Sequence, residues 1–190
     1  CLHLSDCGLS VDDPAIHVKE FVEHFNRTAP LLDNPGQHLT FDEAMCAYTG
    51  HSSIKQYLPA KPHPYGFKWW VVDAREFVRR LKLFEGAVEV VSEDGKMCDL
   101  VCEMMEGYGN KHHILYCDNY FTSDNLLNRL LARKTFICDI NRLKIPKHSP
   151  LNDHLLKKRE RHKSHHFQCE DMQLLDQVTV WKDNKIIKLL

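Results

Sequence analysis

The apolar positions of the chain fall into short blocks whose period changes along the sequence, and those changes mark out the elements. Ile16, Val18, Phe21, Val22 and Phe25 recur at helical spacing with polar residues between them, which predicts an amphipathic helix over 16–25. Asn34-Pro35-Gly36 is a turn signal. Leu39-Thr40-Phe41-Asp42 then opens a strand expected to continue to about Tyr48. Lys61-Pro62-His63-Pro64 reads as a stiff loop. Residues 66–73 (GFKWWVVD) are aromatic and β-branched, as a buried strand requires. Over 77–84, Val78, Leu81 and Leu83 are interleaved with Arg79, Arg80 and Lys82, which predicts an antiparallel neighbour for that strand.

The second half alternates helix and strand. Met97, Val101, Met104 and Met105, with Cys98 and Cys102, make one helical stripe. Residues 113–117 (HILYC) form an apolar strand that delivers Asp118 at its end. Ser123 is placed to cap a helix over 124–133 whose Leu126, Leu127, Leu130 and Leu131 are expected to face inward. A strand over 135–140 follows, then a basic loop, then strands over 173–180 and 185–190 joined at the hairpin signal Lys182-Asp183-Asn184. Three strands, helix, strand, helix, strand is the order of an RNase H-like α/β domain: a mixed sheet flanked by helices, here with an inserted β-hairpin-containing subdomain. In such a sheet the first and fourth strands are neighbours. A carboxylate on the first and one at the end of the fourth can therefore share a metal, and Asp42 and Asp118 occupy those two places. The expected division is a helical lead-in over 1–34, a truncated core over 35–141, and a basic linker with the β insertion over 142–190.

Composition changes this picture in one respect. The 190 residues are 43% hydrophobic and 27% charged, ordinary globular material. No apolar run approaches the 18 or so residues of a membrane span, so no membrane partner is expected. Eight cysteines lie scattered, several at apolar periodic positions, and read as reduced thiols. The net charge of −1 hides an asymmetry: residues 142–166 hold eight Lys/Arg against two acids, a local +6 that leaves −7 elsewhere. A basic stretch on an acidic body suits a polyanion, although a solvated linker has the same composition. Cys98 and Cys102 are expected to be buried thiols rather than ligands. His165, His166 and Cys169 have loose zinc-like spacing, but no second Cys/His pair completes a tetrahedron, so zinc is not expected. The first residue is Cys1 rather than Met, which reads as a fragment.

Four ordered segments are similar to one family. Pro35-Gly36 with Leu39-Thr40-Phe41-Asp42-Glu43 resembles the region of the first catalytic aspartate of piggyBac-type transposases. So do Gly50, Ser52-Ser53-Ile54-Lys55-Gln56-Tyr57-Leu58-Pro59, Lys61-Pro62 and Tyr65-Gly66-Phe67-Lys68. Cys117-Asp118-Asn119-Tyr120-Phe121-Thr122-Ser123 is similar to the second aspartate motif, and Trp181-Lys182-Asp183-Asn184-Lys185 to the hairpin inside the family's insertion.

The resemblance implies a transposase that cuts and pastes DNA at TTAA sites with three aspartates and Mg²⁺ (or Mn²⁺), acting in the nucleus, with a homodimer in the full-length protein. Asp42 and Asp118 would be the first two metal ligands. The third would fall after the hairpin, past Leu190, so the isolated chain is expected to be inactive. Transposon-end DNA would be the partner, with Lys55, Lys68, Lys157, Lys158, Arg159, Arg161 and Lys163 as phosphate contacts. Two departures stand out. Thr49 and His51 flank Gly50 where the family has basic residues, and Cys138-Asp139-Ile140-Asn141 replaces its usual Gly-Thr-x-Arg-like stretch. Both should weaken DNA binding. The alternative is a domesticated or decayed copy that binds DNA or a protein without catalysis.

Overall fold

The computed structural model describes residues 13–32, 34–86, 92–139, 164–168, 177–182 and 186–189. The main sheet runs β2-β3-β1-β5-β6, with β4 also pairing β3. Its strands are β1 (His38–Ala47), β2 (Gln56–Tyr57), β3 (Tyr65–Ala74), β4 (Phe77–Leu83), β5 (Ile114–Cys117) and β6 (Phe136–Asp139). Three helices accompany it: α1 (Ile16–Leu32), α2 (Lys96–Met104) and α3 (Asp124–Ala132). β1, β3 and β4 are antiparallel neighbours, whereas β5 and β6 run parallel to β1. The expected mixed sheet, with the strand delivering Asp118 beside the strand bearing Asp42, is present.

Period-2 alternation assigns the two faces. Leu39 and Phe41 of β1, Trp70 and Val72 of β3 and Leu115 of β5 are buried, and they form one core with Val101 and Met104 of α2 and Leu126 and Leu130 of α3. Leu127 is half-buried and Leu131 exposed, so only two of the four leucines expected to face inward do so. Ser123 caps α3 as expected, its hydroxyl accepting the Leu126 N–H at 3.2 Å. Cys98 and Cys102 lie buried as free thiols, and burial pushes the Cys102 thiol up to about 11, away from metal-binding chemistry.

α1 packs on the opposite face, against β4. It extends seven residues past the expected end at 25, to Leu32, with Pro30 in its last turn. The apolar period lapses after Phe25 because Asn26 is used as a tether: its amide donates to the Leu81 carbonyl at 2.7 Å and accepts the Leu81 N–H at 2.8 Å. β4 also explains a phase break in its own pattern, since Val78 and Leu81 are three apart and cannot share a face of a regular strand. A bulge solves this. Val72 faces Arg80 and Asp73 faces Val78, so Arg79 is the extra residue. Val78, Leu81 and Leu83 then all present toward α1.

A second sheet, β7 (Ser164–Gln168), β8 (Gln177–Lys182) and β9 (Ile186–Leu189), is antiparallel in the order β7-β8-β9. β8 and β9 are the expected hairpin. β7 falls inside the stretch read as a basic loop, because His165, His166 and His162 among lysines mask a short pairing segment. The proposed phosphate contacts Lys157, Lys158, Arg159, Arg161 and Lys163, and the side chain of Trp181, lie outside the described residues.

His113, immediately before β5, is 3% exposed with its ring edge-on to Tyr108. Neither ring nitrogen has a hydrogen-bond partner among the described residues. Burial lowers its pKa below 6.5, against a smaller opposite pull from the backbone of Gly36 and Gln37. The folded state thus prefers the neutral ring. Its contribution to stability is complete above about pH 6.5 and is lost as pH falls through the lower folded value. Thermal melts between about pH 7 and pH 5 should show a smaller pH-dependent loss for His113→Gln than for the parent; equal slopes would contradict the assignment.

Candidate functional site

The parallel pairing of β1 with β5 sets the site. Leu39 faces Leu115 and Phe41 faces Cys117, so the next residues on the two strands, Asp42 and Asp118, emerge side by side. Asp42 lies on the α1 face of the sheet, opposite the face of Phe41, and Asp118 directly follows β5; both are exposed. Each carboxylate accepts the backbone N–H of its following residue at 2.7 Å, Glu43 for Asp42 and Asn119 for Asp118. Among the described residues neither makes an ion pair with Lys, Arg or His, and no third His, Cys, Asp or Glu joins them to make a set of three. Two neighbouring, unpaired carboxylates repel each other, so a cation between them lowers the energy of both. Hard oxygen donors suit Mg²⁺ or Mn²⁺, and two of them leave most of the coordination shell open to water or substrate oxygens.

The segment carrying Asp118 is held from beneath. The Phe121 N–H donates to the Asp118 carbonyl at 2.9 Å, closing the turn after β5. The Phe121 ring, 2% exposed, packs edge-on against Phe41 at 4.8 Å and against Trp70 at 5.6 Å. Each carboxylate thus has a nearby phenylalanine rooted in the core, and the two rings touch. On the other side of Asp42, Phe21, Trp69 and Val71 line an apolar groove of about 480 Å³ between α1 and the sheet.

Glu43 takes no part in the pair. It points to the opposite face, where Lys68 reaches it at 2.8 Å and Lys61 at 3.4 Å. Burial pushes its carboxyl up, but the two lysines more than offset that and hold it below the usual carboxylate value. Lys68 also lies 4.0 Å over the Trp70 ring and its side chain is 13% exposed, so a phosphate would have to compete for it with Glu43. Lys55 is half-buried and donates to the Gly50 carbonyl at 2.6 Å. The bracing of Glu43 from 18 and 25 residues downstream has no local signature, and only the pairing of β1 with β3 reveals it.

A mixed sheet with the path β2-β3-β1-β5-β6 and helices on both faces is the architecture of an RNase H-like α/β domain. The chain belongs to the transposase family described as Transposase IS4, which matches residues 1–190. Its fold is similar to a piggyBac transposase solved by cryo-EM in a synaptic complex with hairpin DNA, with a TM-score of 0.76 and 23% identity. The match covers 94% of this chain and 37% of that one, so the chain spans little more than a third of that protein's length. No curated protein matches the chain.

Proposed function

We propose that this chain is the part of a cut-and-paste DNA transposase that supplies two of its three metal ligands, Asp42 and Asp118. The observation that supports the proposal is the β1–β5 register, in which Phe41 faces Cys117, the residues immediately before Asp42 and Asp118. Mg²⁺ or Mn²⁺ held there would activate a water or 3′-hydroxyl and stabilise the leaving oxygen of an in-line displacement. The chain's own contribution is to hold two carboxylates, one on β1 and one just after β5, and to carry cations to phosphate: Lys55, Lys68 in competition with Glu43, and the stretch Lys157, Lys158, Arg159, Arg161 and Lys163. Transposon ends with TTAA targets, a homodimer in the full-length protein and a nuclear location complete the proposal.

A non-catalytic DNA-binding descendant is the second reading, favoured by Thr49 and His51 beside Gly50 and by the sequence Cys138-Asp139-Ile140-Asn141. Cleavage of labelled transposon ends by the full-length protein separates the two. Metal-dependent cleavage lost in Asp42→Asn and in Asp118→Asn, with DNA binding retained, supports the enzyme. Binding without cleavage in the parent supports the descendant. The isolated 190 residues should bind duplex DNA with an affinity that falls about 10-fold or more between 50 and 200 mM salt, and should not cut it. Cutting by the isolated chain that Asp118→Asn abolishes would show that two carboxylates suffice.

A further inference from the structure

We infer that Tyr57 and Tyr65 form a stacking platform for an unpaired nucleobase of bound DNA, an assignment that rests on the DNA-binding reading above and adds a binding mode to it. β2 is only two residues long, and it pairs Tyr57 directly opposite Tyr65. Cross-strand partners share a face, and their rings lie 4.6 Å apart and tilted by 31°. Apolar side chains that meet this way are ordinarily packed under something. Here Tyr57 is 57% exposed and Tyr65 55%.

Charge around the pair selects the kind of partner. Between Glu43 and Asp73 the sequence holds three lysines, Lys55, Lys61 and Lys68, and no acid. Lys61 and Lys68 are bonded to Glu43, but Lys55 pairs with no carboxylate among the described residues and lies 5.9 Å over the Tyr65 ring. Exposed aromatic rings beside a cation, with no acid in the segment between Glu43 and Asp73, suit a π-faced anion, and a nucleotide whose base is out of the duplex has that chemistry. A paired base offers no face to such a platform.

Position ties the platform to the carboxylates. Asp42 pairs with Val71 and Tyr65 lies six residues earlier on β3, at even spacing, so Tyr65 presents on the same side of the sheet as Asp42. The separation along the strand is roughly 20 Å. DNA whose backbone passes the carboxylate pair can therefore leave an unpaired base at the tyrosines.

The test compares the 190-residue chain on two labelled DNAs of equal length, one fully paired and one with a few unpaired thymines at its end. The parent should prefer the second. Tyr57→Ala and Tyr65→Ala should lose that preference, with binding to the unpaired end about tenfold weaker and duplex binding unchanged, and Tyr65→Phe should behave as the parent. Circular dichroism checks each variant's fold. The fluorescence of 2-aminopurine in the unpaired segment, read with the unaltered chain, needs no variant and should be quenched on binding. Duplex binding with neither a preference nor quenching overturns the platform and leaves the DNA reading standing. Failure to bind either DNA overturns both. Self-association that Tyr57→Ala abolishes, with DNA binding unchanged, also overturns it and marks a protein interface.

Discussion

Phe121→Ala is expected to cost about 3–5 kcal/mol of stability, the range for truncating a large buried aromatic, and to weaken metal binding by Asp118 even where the variant remains folded. The ring is buried against Phe41 and Trp70 and lies three residues after Asp118, in the turn closed by its own N–H. Its removal leaves a cavity beneath both carboxylate-bearing segments. Urea denaturation measures the first effect, and metal titration well below the transition midpoint measures the second. Phe121→Leu, which keeps most of the volume, should cost much less. A loss under about 1 kcal/mol for Phe121→Ala would mean that the turn after β5 is held by something other than this packing.

Gly66→Ala is the second large effect, with an expected cost of about 1–3 kcal/mol or somewhat more from overpacking. A methyl group at Gly66 would sit 2.1 Å from the Cys46 carbonyl oxygen and 2.8 Å from its carbon, both backbone atoms that cannot turn away. Gly66 pairs with Ala47 of β1 and with Gln56 of β2. The clash therefore opens β1 from β3 at the end that presents Tyr65, and β2 loses half of its two-residue ladder. Hydrogen exchange should show faster exchange at 46–48 and 56–57 while the β1–β5 pairing is preserved. Uniform destabilisation with no local change would contradict the steric explanation.

Much of this fold was legible before any coordinates because its elements carry their own signals. The run 66–73 could only be a buried strand, and β3 spans Tyr65–Ala74. Ser123 in front of a leucine-rich period marked the start of α3, and the cap bond is there. Asp42 could be placed on the first strand and Asp118 at the end of the fourth for the same reason, and the order of elements made those strands neighbours. What escaped depends on contacts between distant segments. α1 outlasts its apolar period because Asn26 bonds a strand 55 residues away. The phase break in β4 needed the bulge at Arg79. Lys68 reads as a free cation in sequence, yet in the fold it meets Glu43 from an adjacent strand. β2 is too short for any periodicity, so the Tyr57–Tyr65 pair emerges only from the pairing of β2 with β3. The leucine stripe of α3 was over-read because a 3.6-residue period buries a narrower face than four leucines, leaving Leu131 36% exposed.

The central claim is that Asp42 and Asp118 act together on one cation. Titration of the chain with Mn²⁺, followed by electron paramagnetic resonance, tests it most directly. Two carboxylates should bind weakly, on the order of millimolar. Asp42→Asn and Asp118→Asn should each abolish that site, and the double variant should be no worse than either single one, the non-additivity expected when two residues share one ligand. Both side chains are exposed, so melting temperatures should hardly move. Binding that survives either substitution, or losses that simply add, would contradict a shared site.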